Sequence, residues 1–277
     1  MSLSKRILNK RDAEATSEMS ILREILEHKR GEVAVRKISV SLNALREQAL
    51  ARPAPPPFAS ALRAAPIGLI AEIKRCSPSA GIIREPFLPA KIAAAYKRAG
   101  AQAVSVLVDE RYFGGGEHFF REVRVAVDLP LLYKEFVVDE WQVWHAASLG
   151  ASAFLLIASA LEESMLSRLM ELAAEAHMEV LFEVHNADEM ALARKLNACL
   201  IGINNRNLKT FEVSLDTTLR LTKNAPDGAT VISESGIKTC DDVKRLKRAG
   251  IDGILVGQQL LEDGKDPESG IAELMGL

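Results

Sequence analysis

The chain has 277 residues, 48% of them apolar, with 35 basic against 37 acidic residues and a net charge of -2. That apolar share is ample for a packed core and argues against a disordered chain, while a near-neutral balance with no basic stripe argues against nucleic acid as a partner. The N-terminus MSLSKRILNKRDAEATSEM lacks a signal peptide's apolar segment and no run is long enough to span a membrane; with no paired spacing among Cys76, Cys199 and Cys240, reduced thiols in a cytoplasmic protein are expected.

The first quarter reads as helical. From Ile21 to Lys37, residues Ile21, Leu22, Ile25 and Leu26 share one helical stripe. A second helix is expected from Leu42 to Ala51. The proline run Pro53 to Pro57 interrupts it, because proline lacks a backbone donor and fixes the chain extended. Phe58 to Ala65 reads as one more short helix. Residues 1–66 are expected to form an N-terminal helical extension packed on a unit of residues 67–277.

From Gly68 onward apolar runs alternate with helix-like stretches. The strand candidates are GLIAEIK, AVSVLV, LLYKEF, AFLLIA, EVLFEVH, CLIGINN, TVISES and GILVG. The helical candidates between them run from Pro89 to Ala99, Glu117 to Val127, Glu140 to Leu149, Leu161 to Ala176, Ala187 to Leu196, Leu215 to Lys223 and Cys240 to Ala249. Such an order marks parallel strands joined by crossover helices. The helix-to-strand joint recurs as RAGAQAVSV, SLGASAFLLI, KLNACLIGI and RAGIDGILV, placing Gly100, Gly150, Asn197 and Gly250 roughly 50 residues apart. Glycine or asparagine there suits a left-handed helix C-cap. Four βαβα quarters predict an α/β fold, a closed (β/α)8 TIM barrel. An open doubly wound sheet explains no four-fold repeat, and no G-x-G-x-x-G follows the first strand.

The charges in these strands are out of place for a core. Glu72 and Lys74 are two apart, so they share one strand face. Lys134, Glu183 and Glu234 likewise lie near the C-terminal ends of strands three, five and seven, where barrel enzymes keep their chemistry. The even strands contribute Gly202, Asn204 and Gly257. A convergent site explains four such strand ends better than separate salt bridges do. Two lysines facing glutamates suit proton transfer, with a lysine held charged but close to its titration range. Ser233 to Gly236 and Leu255 to Gln258 put small residues in two adjacent loops, as a barrel phosphate site requires, and Ser77 adds a hydroxyl. His185 follows Glu183 by two but has no third ligand at suitable spacing, so no metal is expected. Cys76 has no activating base in its motif and reads as a spectator thiol. Trp141 and Trp144 are expected outside the barrel. Phe113 and Phe136 either wall a pocket for an aromatic ring or anchor their loops.

EIKRCSPSAG, DERYFGG, KEF, EVH, GINNRNL and SESGI, in this order and spacing, together with the N-terminal ILREILEHKRGEVAVRK, resemble the indole-3-glycerol phosphate synthase family over essentially the whole chain. The resemblance implies ring closure, decarboxylation and dehydration of 1-(2-carboxyphenylamino)-1-deoxyribulose 5-phosphate, a step of tryptophan biosynthesis that needs no cofactor or metal. It implies a small-molecule sugar phosphate carrying an anthranilate group as the ligand; no nucleic acid or membrane partner is expected, and the expected state is a monomer or weak homodimer. By the same resemblance Lys134 is the acid of ring closure, Glu183 stabilises the anilino nitrogen, and Lys74 with Glu72 serves dehydration. Asn204, Arg206 and Glu234 match positions that orient the substrate or its lysines, and Ser77, Ser235, Gly236 and Gly257 match positions near the phosphate or the substrate hydroxyls. The chain departs from the family pattern at Glu135, usually aspartate, at Ala80, usually lysine, and at Gln258. Two other classes meet the residue pattern: an aldolase with a Schiff-base lysine, and a non-catalytic sugar-phosphate barrel, which needs no second lysine. The isomerase one step earlier in the same pathway is also a phosphate-binding barrel but lacks this lysine-rich constellation.

Overall fold

The computed structural model describes residues 3–78, 80–207, 212–262 and 265–277, with side chains from Ile21 onward. Ser79 and Leu208 of the motifs above lie outside the described residues. Three helices come first: α1 (Leu3–Ser39), α2 (Leu42–Leu50) and α3 (Phe58–Arg63). Helix α1 starts well before the expected Ile21, because residues upstream are good helix formers that carry no apolar stripe to be recognised. Ser41 caps α2 by accepting the Ala44 N–H at 3.2 Å.

Eight parallel strands then close into a barrel: β1 (Gly68–Ile73), β2 (Ala103–Leu107), β3 (Leu131–Lys134), β4 (Ala153–Ile157), β5 (Glu179–Val184), β6 (Leu200–Asn204), β7 (Thr230–Glu234) and β8 (Gly253–Val256). Each pairs with its neighbour in sequence, and β1 pairs with β8 through Gly68 and Gly253. The joints turn as expected, with left-handed φ at Gly100 (86°), Gly150 (84°), Asn197 (53°) and Gly250 (77°). His177 makes the same left-handed turn before β5 at φ 56°, without a glycine to signal it.

The remaining helices are α4 (Pro89–Arg98), α5 (Glu110–Phe113), α6 (Glu117–Ala126), α7 (Glu140–Leu149), α8 (Glu163–Glu175), α9 (Ala187–Lys195), α10 (Asp216–Leu221), α11 (Cys240–Arg248), α12 (Gln258–Leu261) and α13 (Pro267–Met275). Sequence periodicity does not foresee α5 or α12, which span barely one turn each, nor the hairpin of Cys76–Ser77 with Gly81–Ile82. Trp141 and Trp144 are buried on α7, outside the barrel wall.

Inside the barrel, Ile70, Leu132, Leu181 and Ile232 from the odd strands form one fully buried aliphatic layer. Helix α3 closes the lower end, with Phe58 and Leu62 packed into the same cluster. Glu179, at the start of β5, accepts the backbone N–H groups of Phe58 and Ala59, so a carboxylate meets the positive end of α3. No helix among the described residues is long and apolar enough to cross a membrane.

Candidate active site

Two residues above the aliphatic layer, the same four strands present Glu72, Lys134, Glu183 and Glu234. Strand alternation points them all inward, so the uppermost odd-strand layer holds three carboxyls and one amine. Lys134 Nζ lies 3.1 Å from Glu234 Oε2 and 3.7 Å from Glu183 Oε2. Lys74 Nζ, just past the end of β1, lies 2.7 Å from Glu72 Oε1. Two glycines leave the room these carboxyls occupy. A Cβ at Gly202 would stand 2.0 Å from Glu234 Oε1, and one at Gly257 would stand 2.6 Å from Glu72 Oε1.

Neighbours tune the charges. Burial pulls the Lys134 amine down, but Glu234, Glu183 and Glu72 outweigh it and hold the amine above the ordinary lysine range. Where a lysine close to its titration range was expected, Lys134 is therefore firmly charged, because the carboxyls around it outweigh its burial. Burial pushes Glu72 up, yet Lys74 and Lys134 bring it below the usual carboxylate range. Burial also opposes ionisation of Glu183, but His185 and Lys134 hold it low. Glu234 goes the other way: burial raises it, and Lys134 offsets this only in part.

His185, weighed above only as a metal ligand, sits between two carboxylates. Its Nε2 is 3.2 Å from Glu183 Oε1 and its Nδ1 is 3.0 Å from Glu189 Oε2. Burial disfavours its charge, but the two glutamates push it up to about 10. Asn204 Nδ2 donates to Glu183 Oε1 at 3.3 Å, while its Oδ1 accepts the Arg206 N–H at 3.0 Å. Asn204 thus ties Glu183 to the loop after β6.

Two adjoining cavities open on this layer and share Glu72, Lys74, Arg206, Ser235 and Leu255. One, of about 250 Å³, is walled by Phe113, Phe136, Leu107, Ile157 and Leu22 of α1, with Lys134, Glu183 and Glu234 at its base. The Phe113 and Phe136 rings are 6.1 Å apart, centre to centre, and tilted by 38°. The other, of about 450 Å³, is lined by Ser235, Gly236, Lys238, Gly257, Gln258 and Ala80. Ser77 sits in the hairpin after β1 and accepts the Ala80 N–H at 3.2 Å.

Ser235 and Gly236 both have left-handed φ, 67° and 78°. Asn205, which the sequence reading passed over, holds that turn. Its Nδ2 donates to Ser233 Oγ at 2.9 Å and to the Ser235 carbonyl at 3.0 Å, and its Oδ1 accepts from Thr218. The signal was the doubled asparagine of GINN at a strand end: alternation sends Asn204 to the site and Asn205 to its support. Lys238 in the second cavity and Lys29 on α1, paired with Asp109 and Glu135, were also missed.

A family model described as indole-3-glycerol phosphate synthase matches residues 22–274. The chain belongs to the indole-3-glycerol phosphate synthase family. A relative of that name from Laribacter hongkongensis is 46% identical over 259 residues, covering 92% of this chain and 98% of the relative. Another, from Chromobacterium violaceum, is 44% identical over 253 residues, with 90% and 96% covered. Among solved structures, a mutant tryptophan synthase α-subunit from Pyrococcus furiosus superimposes with a TM-score of 0.58 at 14% identity, over 76% of this chain and 98% of that one. A thiamine phosphate pyrophosphorylase from Pyrococcus furiosus gives 0.58 at 16% identity, over 78% and 96%. At those identities the structural likeness speaks for the barrel alone. Apart from Ile21, the first residue of the N-terminal stretch, the motifs that carried the resemblance lie inside the matched residues.

Proposed function

We propose that this family member converts 1-(2-carboxyphenylamino)-1-deoxyribulose 5-phosphate to indole-3-glycerol phosphate, carbon dioxide and water. The observation that supports the reading is the position of Lys134 between Glu183 and Glu234, at the base of an aromatic-walled cavity that adjoins a second one lined by small residues. The substrate has the matching plan. Its aryl ring suits Phe113 and Phe136, and its phosphate suits Ser235, Gly236, Gly257 and the start of α12. Ser77 supports that rim through Ala80.

In ring closure the aryl carbon bearing the carboxylate attacks the ketone carbon, and the ketone oxygen becomes an alkoxide. An alkoxide is more basic than any amine, so Lys134 donates to it even with its own affinity for the proton raised. The anilino nitrogen becomes cationic at the same moment. Glu183, kept ionised by His185 and Lys134, stabilises that charge electrostatically. Carbon dioxide leaves next, and its bonding pair returns toward the nitrogen. In dehydration Lys74 protonates the departing hydroxyl, Glu72 removes the methylene proton, and the indole double bond forms. Glu72 and Lys74, 2.7 Å apart, can pass that proton between them. Arg206 and Asn204 orient the substrate between the cavities. The small-molecule chemistry and three unpaired cysteines suit a cytoplasmic enzyme.

The test is the appearance of indole fluorescence from the carboxyphenylamino substrate. Lys134→Ala is expected to lower turnover by about 10² to 10⁴-fold, the usual worth of a general acid. A Lys134→Ala variant turning over at the parent rate would end this assignment, and absence of product from the parent protein would end the reading itself.

A further inference from the structure

We infer that Lys29, on α1, is a positioning residue that clamps together the loops carrying Phe113 and Phe136 and so sets the width of the aromatic cavity. The inference deepens the proposed function and rests on its placement of the aryl ring between those two side chains.

Lys29 occupies a core position. Leu22, Leu26, Lys29 and Val33 are spaced as one helical stripe; Leu22 lines the aromatic cavity, while Leu26 and Val33 are buried. Lys29 itself is 1% exposed. Three carboxylates surround this ammonium: it donates hydrogen bonds to Glu32 at 2.8 Å and Glu135 at 3.0 Å, and pairs by charge with Asp109 Oδ2 at 3.0 Å without hydrogen-bond geometry. Burial pulls the amine down, but Glu135 and Asp109 hold it above the ordinary lysine range, so the cation persists in the core.

Glu32 belongs to α1, whereas the other two partners belong to the site's walls. Asp109 follows β2, and its Oδ1 accepts the Tyr112 N–H at 2.7 Å, capping α5, whose last residue is Phe113. Glu135 follows Lys134, and its Oε1 accepts the Phe136 N–H at 2.8 Å. Each carboxylate thus gives one oxygen to the backbone at or beside an aromatic wall residue and turns the other to Lys29, Glu135 accepting a hydrogen bond from it and Asp109 pairing with it by charge. One amine joins two loops that do not otherwise share a charge partner of opposite sign among the described residues. This also explains Glu135, which sits beside Lys134 but points away from it: its work is to fix Phe136.

The experiment compares Lys29→Met, Glu135→Gln, Asp109→Asn and Glu32→Gln for KM and kcat, for affinity toward indole-3-glycerol phosphate and toward ring-less glycerol 3-phosphate, and for thermal unfolding. Severing a buried charged hydrogen bond predicts that Lys29→Met raises KM and the product Kd about tenfold. We expect kcat to change by less than about threefold and the ring-less Kd to stay put, because Lys134 and the phosphate loops are untouched. Glu32→Gln should lower the melting temperature without moving KM. If Lys29→Met does not fold, the isosteric Glu135→Gln and Asp109→Asn each cut one arm and should each raise KM several-fold. Unchanged KM in folded Lys29→Met, or in both single-arm variants, overturns the clamp. Phe113→Ala and Phe136→Ala run alongside. If neither weakens product binding, the ring placement itself has failed; if both do while Lys29→Met does not, only the clamp has.

Discussion

Gly202→Ala tests whether the Glu234 carboxyl must stand where it does. Gly202 lies on β6 facing the interior, and a Cβ there would be 2.0 Å from Glu234 Oε1 and 3.3 Å from Leu181 Cδ1. Ordinary contact begins near 3.4 Å, so the oxygen has to retreat by about 1.4 Å. Glu234 Oε2 is 3.1 Å from Lys134 Nζ, and a shift of that size carries the pair out of hydrogen-bond range. Loss of a hydrogen bond to a charged group costs about 1.5–3 kcal/mol, and a 1 Å misplacement in a catalytic array costs about 10²-fold. The two routes agree on a fall in kcat of roughly 10²-fold, with KM changed far less because the phosphate loops are not displaced. Overpacking predicts a stability loss of about 1–3 kcal/mol. The assay is indole fluorescence at saturating substrate, with thermal melts to establish folding. In a Glu234→Gln background the glycine change should cost little more, since both act on one contact. A folded Gly202→Ala protein with kcat within about twofold of the parent would refute this reasoning.

Two further predictions separate the upper and lower halves of the barrel. Glu179→Gln weakens the carboxylate at the start of α3 and is expected to cost about 1 kcal/mol of stability in a denaturant melt with kcat unchanged; a change in kcat would contradict a purely structural lower end. His185 is held at about 10 in the fold against 6.5 for a free histidine, so it binds its proton more tightly folded than unfolded. Its contribution is full below pH 6.5 and is lost as pH rises through 10, so the melting gap between parent and His185→Asn should shrink across that window. A gap that stays constant with pH would mean the imidazole is neutral.

The barrel was legible because its signals are periodic. Apolar runs, crossover helices and left-handed joints at Gly100, Gly150, Asn197 and Gly250 repeat around the closed sheet. The site's charged layer was legible for a related reason: strand alternation makes Glu72, Lys134, Glu183 and Glu234 inward-facing once the strands are known. What escaped were residues whose role depends on a partner far along the chain. Lys29 lies 106 positions from Glu135, and nothing local to α1 announces it except a lysine in an otherwise apolar stripe. Glu179 looked like one more charged residue opening a strand; its partners, Phe58 and Ala59, precede it by about 120 residues. His185 was weighed as a metal ligand, rejected, and given no other role, because its second carboxylate, Glu189, comes from the following helix. The expectation of a near-titrating lysine failed although several glutamates were foreseen: how closely they crowd Lys134 is a property of the closed barrel.

Burial alone does not decide how the three carboxyls divide their protons. Glu72, Glu183 and Glu234 are 5%, 5% and 2% exposed, close to equal, yet only Glu234 is pushed above the ordinary range. The difference lies in their partners. Glu72 has Lys74 at 2.7 Å to itself, and Glu183 has His185 at 3.2 Å and Asn204 at 3.3 Å besides a share of Lys134. Glu234 has only its share of Lys134, while its other oxygen faces Gly202 and has no hydrogen-bond partner among the described residues. Beneath it lies the aliphatic layer of Ile232 and Leu181, which offers no donor. In the proposed reaction Glu183, with the most partners, is the carboxyl suited to stay charged for the cationic nitrogen, while Glu234 holds Lys134 in place. The same cramped geometry that makes glycine necessary at position 202 leaves Glu234 short of donors, so the steric and the electrostatic character of this layer have one cause.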